Sequence, residues 1–252
     1  NSIESGGNQN VVIGDEAGTA LTTGDFNVMV GYAAGDAFTT GGRNVGIGQN
    51  ALSTDTLGSR STAVGQGALG TQNFTTSTNV YNVAVGALAG NAITTGTFNT
   101  ILGGQAADAL TEGTRNVALG YGALTSDTLG SKSVAIGIAA LDAQNFTTAT
   151  DSNNVAVGNN AGAAVTTGIE NTIVGGLAGD ALTDADFNVA LGTFALTADT
   201  LGSRSTALGR SALASQNFTT ATDTYNVAVG FNAGTSVTTG IENTLIGSLA
   251  GD

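Results

Sequence analysis

Asn82-Val83-Ala84-Val85-Gly86-Ala87-Leu88-Ala89 decides the fold, because variants of this phrase recur along the whole chain. They open at Asn10, Asn27, Asn44, Ser61, Asn82, Asn99, Asn116, Ser133, Asn154, Asn171, Asn188, Ser205, Asn226 and Asn243. The steps are 17, 17, 17 and 21 residues, and that set repeats as a 72-residue super-repeat starting at positions 10, 82, 154 and 226. A unit this short cannot bury its apolar face alone and must stack on its neighbours, which is the signature of a solenoid. The expected fold is therefore all-β, a parallel β-solenoid of about fourteen 17-residue coils with a 21-residue coil every fourth turn. Residues 10–252 form the repeat domain, and residues 1–9 read as a partial coil or junction.

Within the phrase, the second position is Val or Thr and the fourth is Val, Ile or Leu, as in Val11 and Ile13. Apolar, β-branched residues two apart mark a strand. The fifth position is always Gly, from Gly14 to Gly247, which suits a corner needing positive φ or close backbone approach. The eighth is always Ala, where only a methyl fits. A second apolar position at Leu21, Ile93 or Val165, with Thr-Thr-Gly after it, reads as a second short strand and a second corner. Stacked Asn residues at one corner are expected to form an amide ladder between coils.

The third position should point opposite to its neighbours. It is mostly Ala, but the second coil of each super-repeat has Met29, Ile101, Ile173 and Leu245. With Val11, Ile13 and their equivalents assigned to the core, these four become candidates for packing against another chain, in a parallel homo-oligomer that is most simply a trimer. A strip of small exposed residues on a monomer is the alternative.

Composition limits the function. The 252 residues carry 19 acidic and 6 basic side chains for a net charge of −13, which argues against nucleic-acid binding. There is no Cys and no His, so thiolate sites, disulfides and His-based triads are excluded. No apolar run reaches the roughly 20 residues a membrane span needs. With neither an initiator Met nor a signal peptide before Asn1, the chain reads as processed or excised. No cofactor motif is present: the Gly density is corner chemistry, without the strand and helix context of a nucleotide loop. EF-hand and Gly-rich calcium-roll motifs are absent, and Asp184, Asp186 and Asp25 read as solvated turn residues or at most a weak ion site.

Asp36, Asp108 and Asp180, like Asp55, Asp127 and Asp199, recur every 72 residues, about 19 Å apart, too far for a catalytic pair within either set. The repeated Asp-Thr-Leu-Gly-Ser-Arg/Lys phrase suggests a local ion pair, Asp55 with Arg60 and equivalents, clamping a corner. The inserted fourth coil carries Gln72-Asn73-Phe74, Gln144-Asn145-Phe146 and Gln216-Asn217-Phe218, amides beside a ring that suit a glycan contact. The same Phe can instead plug the wider coil.

The phrase at Asn82–Ala89 and at Asn154–Ala161 resembles the head repeats of trimeric autotransporter adhesins. It is also similar to the Asn-x-Ala-x-Gly repeats of phage tail fibres and bacterial surface proteins. The resemblance covers essentially residues 10–252. It implies a left-handed parallel roll, three chains side by side and a surface that binds matrix or cells, although the coil here is longer and the stalk and anchor segments of that family are missing. The expected function is a non-catalytic structural subunit of an extracellular, cell-surface or virion fibre. It would assemble with itself and stack head to tail, touch a host or surface glycan, and neither insert in a membrane nor bind nucleic acid. A receptor-binding phage shaft is one alternative. An ice-binding solenoid is another, invited by Thr22-Thr23, Thr94-Thr95 and Thr166-Thr167, and a polysaccharide-cleaving tailspike is a third.

Overall fold

A computed structural model describes residues 8–252, so most of the junction expected at residues 1–9 lies outside the described residues. The fold is a parallel β-solenoid of about fourteen turns roughly 17 residues apart, and no helix occurs among the described residues. The chain divides into two compact units, one ending at Gly122 and the other beginning at Ala123. Each holds seven three-residue strands. The first unit runs from Val11–Ile13 through Val83–Val85 to Val117–Leu119, the second from Val134–Ile136 through Val189–Leu191 to Thr244–Ile246.

Strands pair in parallel with like over like, for example Thr62 on Val83, Ala63 on Ala84 and Val64 on Val85. That register follows from the repeat itself: coils of equal length return each position to the same place on the coil. The Gly at the end of each strand has φ between +123° and +143°. A Cβ on Gly86 would stand 2.5 Å from the carbonyl oxygen of Gly103 in the next coil, so both reasons for a glycine, conformation and close approach, operate at this corner. The eighth-position Ala is buried with no exposed area from Ala17 to Ala233.

The expected second strand is mostly absent. Among the described residues, two-residue strands form only beside the insertion, pairing Gly58–Ser59 with Thr78–Asn79, Gly130–Ser131 with Thr150–Asp151, and Gly202–Ser203 with Thr222–Asp223. Elsewhere this side is bonded coil to coil without a ladder, as where Thr22 N–H donates to the Thr39 carbonyl, while Leu21, Phe38 and Ile93 are buried beneath it.

The largest correction concerns which face of the strand is inside. The third position is buried: Met29, Ile101 and Ile173 fill the interior of the coil and do not face outward toward another chain, and Leu245, in the last coil, is half-buried. The second and fourth positions point out; Val85, Leu102 and Ile13 are 38%, 40% and 59% exposed. The reason lies in the Asn that opens the coil. Its amide is buried, and residues two apart on a strand share a face, so the third position follows the Asn inward.

Met29 and its equivalents are core fillers. The ninth position of the coil is in the left-handed region and points toward them. A Cβ on Gly35 would meet Met29 Sδ at 2.4 Å, and one on Gly90 would meet Ile101 Cδ1 at 2.9 Å. Where the third position is Gly46, Ala63 or Ala190, the ninth is instead a buried Leu at positive φ: Leu52, Leu69 or Leu196. In these coils one large residue occupies the same space from either side; where both positions are small, as at Ala84 and Gly90, Ile101 of the next coil and Leu69 of the previous one reach in, which keeps the interior close-packed.

Candidate functional site

The buried polar ladder is the most elaborate construction in the molecule. From Asn10 through Asn99 in the first unit and from Asn154 through Asn226 in the second, the side-chain oxygen of the opening Asn accepts the backbone N–H of the next coil's opening residue, and its amide nitrogen donates to a carbonyl fourteen residues on. Asn27 illustrates it: Oδ1 accepts from Asn44 N at 3.0 Å and Nδ2 donates to the Gly41 carbonyl at 2.9 Å. Both amide atoms are thereby assigned by their backbone partners. The expected ladder exists, bonding side chain to backbone, and each net contribution is about 0.5–1.5 kcal/mol.

Ser61, Ser133 and Ser205 cannot continue this pattern, because a hydroxyl lacks the reach of an amide. The four-residue insertion supplies the missing group. Gln72 turns inward, donating from Nε2 to Ser61 Oγ at 3.0 Å and to Asp55 Oδ2 at 2.6 Å, and its Oε1 accepts from Asn82 Nδ2 at 2.9 Å. Asp55 Oδ1 accepts the N–H groups of Gly58 and Phe74, each at 3.0 Å. Gln144 bonds Ser133, Asp127 and Asn154 in the same way, and Gln216 bonds Ser205, Asp199 and Asn226. Burial pushes the carboxyls of Asp55 and Asp127 above the usual carboxylate range; the Gln amide and the backbone N–H donors pull them back part of the way.

The glycan candidates are therefore not assembled on one surface. Gln72, Gln144 and Gln216 are fully buried in this network, and Phe74, Phe146 and Phe218 are buried beside it, so Phe plugs the widened coil. Only Asn145 and Asn217 are exposed; Asn73 is half-buried. Their side-chain oxygens accept from the Thr128, Thr200 and Thr56 hydroxyls.

The corner ion pair inferred between Asp55 and Arg60 does not form either. Asp55 is inside, while Arg60 donates from Nε to Asn79 Oδ1 at 3.0 Å. Lys132 and Arg204 instead pair with Asp151 and Asp223 on the next coil, at 2.6 and 2.9 Å. The three-residue link Ser61–Gln72–Asp55 escaped sequence reasoning. Its signal was present, since Ser replaces Asn only in the coil that carries both the insertion and, one coil earlier, the Asp.

The remaining candidates are turn chemistry. Asp184 accepts from the Thr167 hydroxyl, Asp186 from Ile169 N–H, and Asp25 from Asn8 N–H. Among the described residues, no group of three or more acidic side chains is placed to hold a metal ion. The hydroxyls of Thr22, Thr39, Thr94 and Thr183 donate to carbonyls of the following coil and so form no free array for ordering water.

The outward strand face is open to solvent. In each unit it is two adjoining columns, Val or Thr at the second position and Val, Ile or Leu at the fourth, with Tyr32, Tyr121 and Phe231 exposed just past the corner. A parallel sheet is ordinarily covered on both faces. Compared with known proteins, the chain matches no family model, no curated protein and no solved structure.

Proposed function

We propose that the chain is a non-catalytic structural subunit of an extracellular or virion fibre. Parallel copies associate through the outward columns of their three-residue strands, three to a bundle. The observation that carries this reading is the outward face itself. A continuous ladder of Val, Ile and Leu side chains stands half-exposed on a sheet whose other face is packed, and it repeats at the coil spacing along each unit. A second copy in the same register meets that ladder with an identical one, so the match improves with every coil and selects parallel self-association over chance partners. The likeness of Asn82–Ala89 to adhesin head repeats points the same way and suggests the stoichiometry.

The buried carboxylates also favour a structural role. Asp55, Asp127 and Asp199, the most enclosed acids, each face N–H donors of their own or the next coil, with no solvent-facing oxygen to act on a substrate. The ice-binding alternative loses its first Thr column to carbonyl bonds.

End-on electron-microscopy averages of the purified chain test the proposal. Three solenoid cross-sections around a common centre are expected; particles with a single cross-section at micromolar concentration would contradict it.

A further inference from the structure

One residue of every coil, immediately before the opening Asn or Ser, sits in the left-handed region, where Gly or Asn is the ordinary choice. In the first unit six successive coils place Phe26, Arg43, Arg60, Tyr81, Phe98 and Arg115 there, at φ between +56° and +68°, all exposed. Neither backbone preference nor core packing calls for these residue types. They form a stacked row along the coils. Arg43 lies 5.3 Å from the Phe26 ring centroid, Arg60 5.5 Å from Tyr81, and Arg115 5.7 Å from Phe98, while the Tyr81 and Phe98 rings stack at 5.6 Å and 15°.

The charge of this row is out of keeping with the molecule. Three of the six basic residues stand in it, on a chain of net charge −13. In the second unit the equivalent Lys132 and Arg204 are neutralised by Asp151 and Asp223. In the first unit the matching position is Asn79, which accepts a hydrogen bond from Arg60 without cancelling its charge. Those two ion pairs are the only ones among the described residues, so Arg43, Arg60 and Arg115 keep theirs. Each guanidinium lies over a ring, and with Arg60 Nε already held by Asn79 the terminal Nη groups are the ones that can meet a planar carboxylate in a bidentate pair.

We infer that this ridge, from Phe26 to Arg115, binds an acidic polysaccharide whose carboxylates engage the three guanidinium forks, with ring edges covering the sugar C–H groups. It goes beyond the fibre assignment and needs only the first unit. Carboxylates carried singly on successive sugars suit separate forks. A nucleic acid suits the ridge less, because the ring faces are already covered by guanidinium groups or by each other and offer bases no stacking platform.

Isothermal titration calorimetry of the full chain with an oligogalacturonate tests this, against its carboxyl-reduced neutral analogue and an oligothymidylate. Binding to the uronate alone is expected. Arg43→Gln with Arg60→Gln should weaken it about tenfold or more, as loss of two charge-assisted pairs requires. Asn79→Asp should weaken it severalfold by supplying the acid found in the second unit. Lys132→Gln with Arg204→Gln should leave it unchanged, and circular dichroism confirms that each variant is folded. No uronate binding, equal binding of the neutral analogue or of oligothymidylate, or full affinity in the folded Arg43→Gln/Arg60→Gln variant would overturn the inference.

Discussion

Gly86 and Gly104 show how differently two glycines of one repeat are constrained. Gly86 has φ +139° and a Gly103 carbonyl oxygen 2.5 Å from where a Cβ would stand; Gly104 has an ordinary backbone and no neighbour nearer than 3.7 Å. Gly86→Ala should cost about 2–4 kcal/mol, because both the left-handed conformation and the coil spacing are violated. Gly104→Ala should stay within about 0.5 kcal/mol. Urea unfolding of both variants measures the difference. This corner was legible in the sequence because an invariant Gly after a strand has few other physical meanings.

The buried carboxylates were less legible, since nothing local to Asp127 marks it as interior. Its folded pKa is raised by burial, so the stability it contributes is fully present below the unfolded carboxylate pKa and is lost as pH rises through the folded value. Gln144 works against that rise by donating to the carboxylate at 2.6 Å. Gln144→Leu removes the donor and should destabilise the protein by about 1.5–3 kcal/mol at pH 7. The loss should shrink toward pH 4, as the carboxyl, its pKa now higher still, takes up a proton. Denaturant midpoints across that pH range check the sign. A penalty that grows on acidification would contradict this role for Gln144.

At the scale of the strand and its coil, packing in the second, third and fourth coils of a super-repeat is a trade between the third and ninth positions. Ile101 is buried in the second coil of its super-repeat, with Ala107 at positive φ in the ninth position, whereas the coils with Ala63 and Ala190 carry Leu69 and Leu196 there. Ile101→Ala alone should cost about 2–4 kcal/mol by leaving a cavity. Ala107→Leu alone should cost about 1–3 kcal/mol by overpacking. Together they recreate the alternative arrangement, and the double variant should be more stable than the sum of the two by about 1 kcal/mol or more. A thermodynamic cycle from chemical unfolding measures that coupling. The same trade explains why the strand's inner face was misread. Val11 and Ile13 look like a core pair by hydrophobicity, yet the parity of the strand is set by the buried amide at its start. The inverse relation of Met29 with Gly35 and of Ala63 with Leu69 was visible in the sequence and identifies the third position as interior.

For the whole molecule, turning the strand over relocates the basis for self-association without weakening it. Met29, Ile101 and Ile173 are interior, and the outward columns that replace them are longer, more β-branched and present in every coil. The solenoid and its 17-residue rhythm could be read directly, because repetition imposes register. The outward face proposed for association could not, because with both faces of the strand apolar, hydrophobicity alone does not say which face is the inner one. Val85 and Leu102 stand in the same outward column on adjacent coils, paired in register, and lie within the first unit. The sedimentation-equilibrium mass of the wild-type chain beside that of Val85→Asp/Leu102→Asp, both with unchanged circular dichroism, is the most direct test. The wild type should sediment as a multiple of 24.5 kDa, three being expected, and the variant should fall toward the single-chain mass. A wild-type chain at 24.5 kDa, or a variant that keeps the multiple, would contradict association through the outward strand face.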